Sequence, residues 1–165
     1  MFSSCCEPPF GGYRELDFYN NSDYEISMYS IIVSPISHSD TPIYPDTALP
    51  SNYMSAKTLS IKSHGYANYN HLYGKEDISI FYNYYNTDTI SFFIFSTDTL
   101  VHYAWDSIRN SYKILQRYDI SVDDFLSLFS SKPYLDLTFP PSPKMCNIKM
   151  WPPYGTYDEN GHRIK

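Results

Sequence analysis

At 165 residues the chain has room for one domain with a real core, since a domain of this size buries about 70% of the surface its unfolded chain exposes; two domains would be a squeeze. The net charge of −6 argues against a nucleic-acid partner, and the nearest approach to a basic patch, Lys113 to Arg117, holds two cations. Aromatic residues make up 18%, with 18 tyrosines, and charged residues at 18% fall below the usual quarter, a composition that favours strands.

No stretch approaches the ~20 apolar residues that span a bilayer as a helix. Phe2-Ser3-Ser4-Cys5 resembles the end of a bacterial lipoprotein signal, in which small residues precede a cysteine that is acylated. The charged and apolar regions of such a signal are missing, as expected of a shortened start. Cys5 is the candidate lipid anchor; the alternative is that Cys5 and Cys6 are ordinary terminal cysteines. Residues 1–12 form the signal remnant and a proline- and glycine-containing tether, and 13–165 the single domain. A disulfide between Cys6 and Cys146 is permitted in an oxidising envelope but not demanded, and an unpaired, buried Cys146 fits equally.

Leu16-Asp17-Phe18-Tyr19 opens a first strand, Asn20 to Asp23 turns it, and Tyr24 to Ser34 returns as its hairpin partner. Pro35 to Pro50 reads as a long loop, either a recognition element or a span between sheets. Thr58 to Ser63 is a short strand. From Gly65 to Tyr85, Tyr66, Tyr69, Tyr73, Tyr82, Tyr84 and Tyr85 interleave with Asn68, Asn70, Asn83 and Asn86. Tyrosine rings stack on the apolar face of a pyranose while amides bond its hydroxyls, and the same pairing suits a protein contact; the plainer reading is a pair of strands with half-buried rings. His64 and His71 match no metal-ligand pattern.

Thr89 to Ser96 is the expected core strand, with Ile90, Phe92 and Ile94 on one face and Phe93 and Phe95 on the other, so both faces require a cover. Asp98-Thr99 reads as a turn, Leu100 to Tyr103 as extended, and Trp105, Ile108 and Tyr112 as a short helix. Lys113 to Ile120 is expected as a strand with Ile114, Tyr118 and Ile120 on one face. Ser121 then caps a helix that Asp123 and Asp124 favour from its positive end and that buries Phe125, Leu128 and Phe129. Together the two helices are expected to cap one side of the sheet. Tyr134 to Phe139 alternates as a half-buried strand, Pro140-Pro141 stops it, and Met145, Ile148 and Met150 alternate up to Trp151-Pro152-Pro153-Tyr154. The proline pairs hold extended segments without ladder bonds, pinned by Phe139, Trp151 and Tyr154; exposed, Trp151 and Tyr154 are candidates to receive a partner.

The run Tyr112-Lys-Ile-Leu-Gln-Arg-Tyr-Asp-Ile-Ser121, with Phe139-Pro-Pro, Met145 and Ile148-Lys-Met-Trp-Pro-Pro-Tyr154, resembles a family of small lipoproteins of Bacteroides-type bacteria. Tyr44 to Pro50 and Thr89 to Leu100 extend the likeness to about two thirds of the chain. Phe139 and Trp151 stand where that family has tyrosine. The resemblance implies an outer-membrane lipoprotein of the cell envelope and carries over no catalytic or binding residue. Short Asp-Thr/Ser-aliphatic tripeptides resemble a periplasmic O-glycosylation pattern, with Thr47 and Thr99 the candidate acceptors in a loop and a turn.

These elements predict a mainly β fold, an antiparallel β-sandwich with two short helices, or else a β-rich α+β arrangement. A nucleophile elbow, a phosphate-binding glycine loop, helical histidine pairs and clustered zinc ligands are all missing from the sequence, and no cofactor or metal is expected. The first expectation is a non-enzymatic envelope lipoprotein that binds another protein as an accessory subunit. A glycan-binding module using residues 65–86 is the second, and a hydrolase with an unmarked site the third.

Overall fold

The computed structural model describes residues 15–32, 49, 58–68, 89–128 and 134–165. Among these run strands β1 (Glu15–Asn20), β2 (Ile26–Ile32), β3 (Thr58–Ile61), β4 (Tyr66–Asn68), β5 (Thr89–Ser96), β6 (Gln116–Ser121), β7 (Tyr134–Phe139) and β8 (Lys149–Trp151). Helices α1 (Thr97–His102), α2 (Trp105–Asn110) and α3 (Val122–Leu128) accompany them. The strands form two sheets, β4-β1-β7 and β3-β2-β5-β6-β8. Every pairing is antiparallel except that of β1 with β7.

The two sheets share one core. Leu16, Phe18, Leu137 and Phe139 from the smaller sheet meet Ile26, Met28, Ile61, Ile90, Phe92, Ile94, Tyr118 and Ile120 from the larger one. Burying a side chain of this size contributes about 1.5–3 kcal/mol, so the alternation along β5 alone commits that strand to the centre. Its other face carries Phe93 and Phe95 into a second core with Tyr29, Leu49, Ile108 and Ile114. Both faces of β5 are thus covered, as its sequence requires. The covers differ: Phe125 of α3 enters the core between the sheets, whereas Ile108 of α2 enters the second one. The expectation that both helices cap one side is corrected, because Phe125 follows the inward face of β6 and Ile108 precedes that strand on the opposite side of β5.

Asn20, fully buried, ties the sheets together where the chain passes from one to the other. Its Nδ2 donates to the carbonyls of Tyr24, Ile61 and Lys62 at 2.8, 3.1 and 3.0 Å, and its Oδ1 accepts from the Ser22 amide and hydroxyl. Residues 20–23 therefore do turn the chain, but β1 and β2 belong to different sheets and make no hairpin. The carboxyl-terminal segment locks this corner. The Tyr24 hydroxyl donates to the Gly161 carbonyl at 2.7 Å, and Gly161 has φ +85° with no room for a side chain, since a Cβ would stand 2.6 Å from that of Ser22.

Beside the second core, on the same outer face of the larger sheet, lies a buried ionic cluster. Arg117 Nε and Ser91 Oγ both donate to Asp119 Oδ1, at 2.7 and 2.6 Å, with the guanidinium over the Phe93 ring. Arg117 is 5% exposed and belongs to no basic surface.

Local chemistry accounts for several boundaries. Ser121 Oγ accepts the Asp124 amide at 3.1 Å while Asp124 Oδ2 accepts the Ser121 amide at 2.9 Å, a reciprocal cap that starts α3 as expected. Thr97 to His102 is helical, with Asp98 in the first turn and His102 in the last, so the turn at Asp98-Thr99 and the extended run after it are corrected, and the described helices number three. β6 starts at Gln116; Ile114 precedes it, in the second core rather than on the face of Tyr118 and Ile120. Between Pro143 and Met145 the chain forms a 3₁₀ turn, because Pro143 sets a helical φ at its first position. The strand there is confined to Lys149–Trp151, and Cys146 lies exposed as a free thiol rather than buried in a strand.

Candidate functional site

β1 supplies the positions on which the site is built. Leu16 and Phe18 turn into the core, so the pleat sends Asp17 and Tyr19 to the outer face of the three-stranded sheet. On one side β4 sets Asn68 opposite Asp17 and Tyr66 opposite Tyr19; on the other β7 sets Asp136 and Thr138 beside the same two residues. The face thereby carries two rows, Asn68, Asp17, Asp136 and Tyr66, Tyr19, Thr138. Neighbouring strands lie ~4.8 Å apart and same-face residues ~6.7 Å apart along a strand, so the six positions span roughly 10 by 7 Å.

The aromatic row is open at one end and closed at the other. Tyr66 is 67% exposed and stacks on Tyr19 with ring centroids 5.7 Å apart and 27° between planes. Thr138 is buried, its hydroxyl donating to the Pro140 carbonyl at 2.8 Å and accepting the Ser142 amide at 2.9 Å. In the polar row Asn68 Nδ2 donates to Asp17 Oδ1 at 2.9 Å, and Asp136 is exposed. Burial, then the carboxylates of Asp136 and Asp17 and the Tyr66 phenol, hold the Tyr19 phenol above its ordinary value. An open ring beside carboxylate acceptors and an amide is suited to a polyhydroxylated ligand, which has apolar C–H faces and hydroxyl donors together.

Of the tyrosines and asparagines singled out in residues 65–86, Tyr66 and Asn68 stand on this face; Tyr69, Tyr73, Tyr82, Tyr84 and Tyr85 lie outside the described residues, as do Cys5, Cys6, Thr47 and His71. Trp151 is half-buried against Tyr112, centroids 5.0 Å apart, in the second core, and Tyr154 is 43% exposed beyond Pro153. Neither shares the face of Tyr66. Thr99 is half-buried within α1 rather than in a turn. His64 lies on the surface, its Nε2 3.3 Å from Asp23 Oδ1, with His162 3.4 Å from the other oxygen of the same carboxylate. Among the described residues, no group of three His, Cys, Asp or Glu side chains is placed to hold a metal, and no helix is long and apolar enough to cross a membrane.

Tyr19, Asp17 and Asp136 escaped the sequence reading as site residues. For the first two the signal was present, since Leu16 and Phe18 inward imply Asp17 and Tyr19 outward. For Asp136 the signal needed was the pairing of β7 with β1, which no local pattern encodes. The protein is thus a β-rich chain of two sheets and short helices with an aromatic and acidic outer face. No protein-family model matches this chain, and comparison with curated proteins and with solved structures likewise yields no match.

Proposed function

We propose that this chain is a non-enzymatic saccharide-binding domain that uses the outer face of its three-stranded sheet. The single observation carrying the proposal is the exposed Tyr66 ring, stacked on Tyr19 and set one residue pair away from Asn68, Asp17 and Asp136. A pyranose laid on Tyr66 directs its hydroxyls along the sheet toward that polar row. Tyr66→Ala should abolish saccharide binding while costing no more than about 1 kcal/mol of stability, the worth of its cross-strand stack on Tyr19. Undiminished binding in that variant removes the face from the argument.

A second reading, an accessory subunit held in the bacterial outer membrane by acylated Cys5, is favoured by α1. That helix lays only Leu100 against the second core and leaves Val101 71% exposed, with Tyr103 just after it 49% exposed beneath Lys113, surface that a protein partner could cover. Crosslinking and pull-down from native envelope membranes, with Cys5→Ala as control, tests it. A stoichiometric partner crosslinked through α1 supports an accessory role, and recovery of the chain alone counts against it.

A further inference from the structure

The polar row of the candidate face has an electrostatic character that restricts what the aromatic row can accept. Asp17 and Asp136 stand directly opposite each other on neighbouring parallel strands, an arrangement that costs stability because like charges repel across a sheet. The six positions of the face carry these two carboxylates and no cation. Asp17 is partly occupied, with Oδ1 accepting from Asn68 Nδ2, whereas Asp136 is exposed. Asn68 is the member of this row on the strand of Tyr66, one same-face step of ~6.7 Å away, whereas Asp136 stands at the opposite corner of the face, roughly 12 Å from Tyr66, so a ligand stacked on Tyr66 meets it by extending across the sheet.

Resting on the saccharide reading above, we infer that the face selects by charge: it takes uncharged or amine-bearing saccharides and turns away those carrying carboxylate or sulfate groups, with Asp136 as the residue that sets the choice. A carboxylate accepts hydrogen bonds from sugar hydroxyls and attracts an ammonium group, and it repels a second anion. Asp136 is the discriminating group because its solvent exposure lets it meet the ligand without first giving up a partner. Asp17 adds to the same field while also orienting the Asn68 amide.

The test uses the full chain on an array of neutral, amine-bearing and anionic glycans printed at matched density, at low and at high salt. Wild type should favour neutral or amine-bearing spots over anionic ones, and Asp136→Asn should narrow that preference about twofold, the factor a unit-charge pair ~12 Å apart in water supplies. The preference should also shrink at ~1 M salt, where the screening length falls to about 3 Å. Asp136→Asn replaces an exposed side chain by its isostere, and an unchanged melting temperature confirms that it folds. Equal binding to anionic and neutral glycans, or a preference that Asp136→Asn leaves unmoved, overturns charge selection while leaving the saccharide reading intact. An array on which wild type binds no spot overturns both.

Discussion

The hydroxyl of Tyr118, on β6 beside the central strand of the five-stranded sheet, donates a 2.7 Å hydrogen bond to the backbone carbonyl of Thr138 on the edge of the three-stranded sheet. Tyr118 is fully buried, so the bond runs through the core and joins the two layers by polar chemistry as well as by apolar contact. It also satisfies a carbonyl of β7 that lies away from its single strand neighbour. Tyr118→Phe keeps the ring and strands that carbonyl. The expected loss is about 1–3 kcal/mol in urea denaturation, the cost of a buried acceptor left unpaired. A variant as stable as wild type would show that the bond contributes nothing net.

Alkaline pH should weaken the fold through buried phenols. Burial raises Tyr118 well above the ordinary value of 10.0, pushes Tyr24 up to about 12, and raises Tyr157 despite the opposing Arg163. Between the ordinary value and these raised ones the unfolded chain releases protons that the folded chain keeps, so unfolding becomes easier as pH rises. The stability is fully present below pH 10 and is lost as pH climbs through about 12. Urea midpoints at pH 8, 10 and 11 should fall, and Tyr24→Phe should flatten the decline. Parallel curves for the two proteins would remove Tyr24 as a contributor.

Breaking the buried ionic cluster on one side only should be costly. Arg117→Met leaves the Asp119 carboxylate, 4% exposed, without its cation, and a loss of about 3–5 kcal/mol is expected. Arg117→Met with Asp119→Leu removes both charges and should recover most of that loss. The double-mutant cycle reads the difference directly, and a double variant less stable than the single one would contradict the desolvation argument.

The reciprocal cap of α3 offers a smaller test. Ser121→Ala removes the acceptor for the Asp124 amide, and the expected cost is about 1 kcal/mol in denaturant unfolding. Ser121→Asp, which keeps a cap acceptor, should retain more of the stability than alanine. If alanine and aspartate behave alike, the cap hydrogen bond is not what starts the helix.

Much of the fold was legible where a local pattern suffices. Ile90, Phe92 and Ile94 against Phe93 and Phe95 marked β5 as buried on two faces, and Ser121 before Val122 marked a helix start; both follow from the spacing of a few neighbouring residues. Partners were not legible. Alternation tells which way Leu16 and Phe18 face but not that β1 pairs with β7 in parallel and with β4, so a hairpin with β2 was the natural and incorrect expectation. Leu100 and Val101 read as extended because they are aliphatic, yet Asp98 and His102 complement a helix at its two ends. The site divided the same way. Tyr66 and Asn68 stood out by composition, while Asp136 joins them through a pairing that residues 134–139 do not announce.

That pairing has a consequence for how the molecule comes into being. Each contact between β1 and β7 joins residues 119 positions apart, from Glu15 with Tyr134 to Asn20 with Phe139. β1 therefore waits for 119 further residues to be made before each of its parallel partners exists. Pairings this distant in sequence are slow to close, since the entropy of the intervening loop is lost before the contact rewards it. A chain cut short before Tyr134 would carry Asp17 and Tyr19 but not Asp136, so the face that we assign to recognition is complete only once synthesis has passed β7.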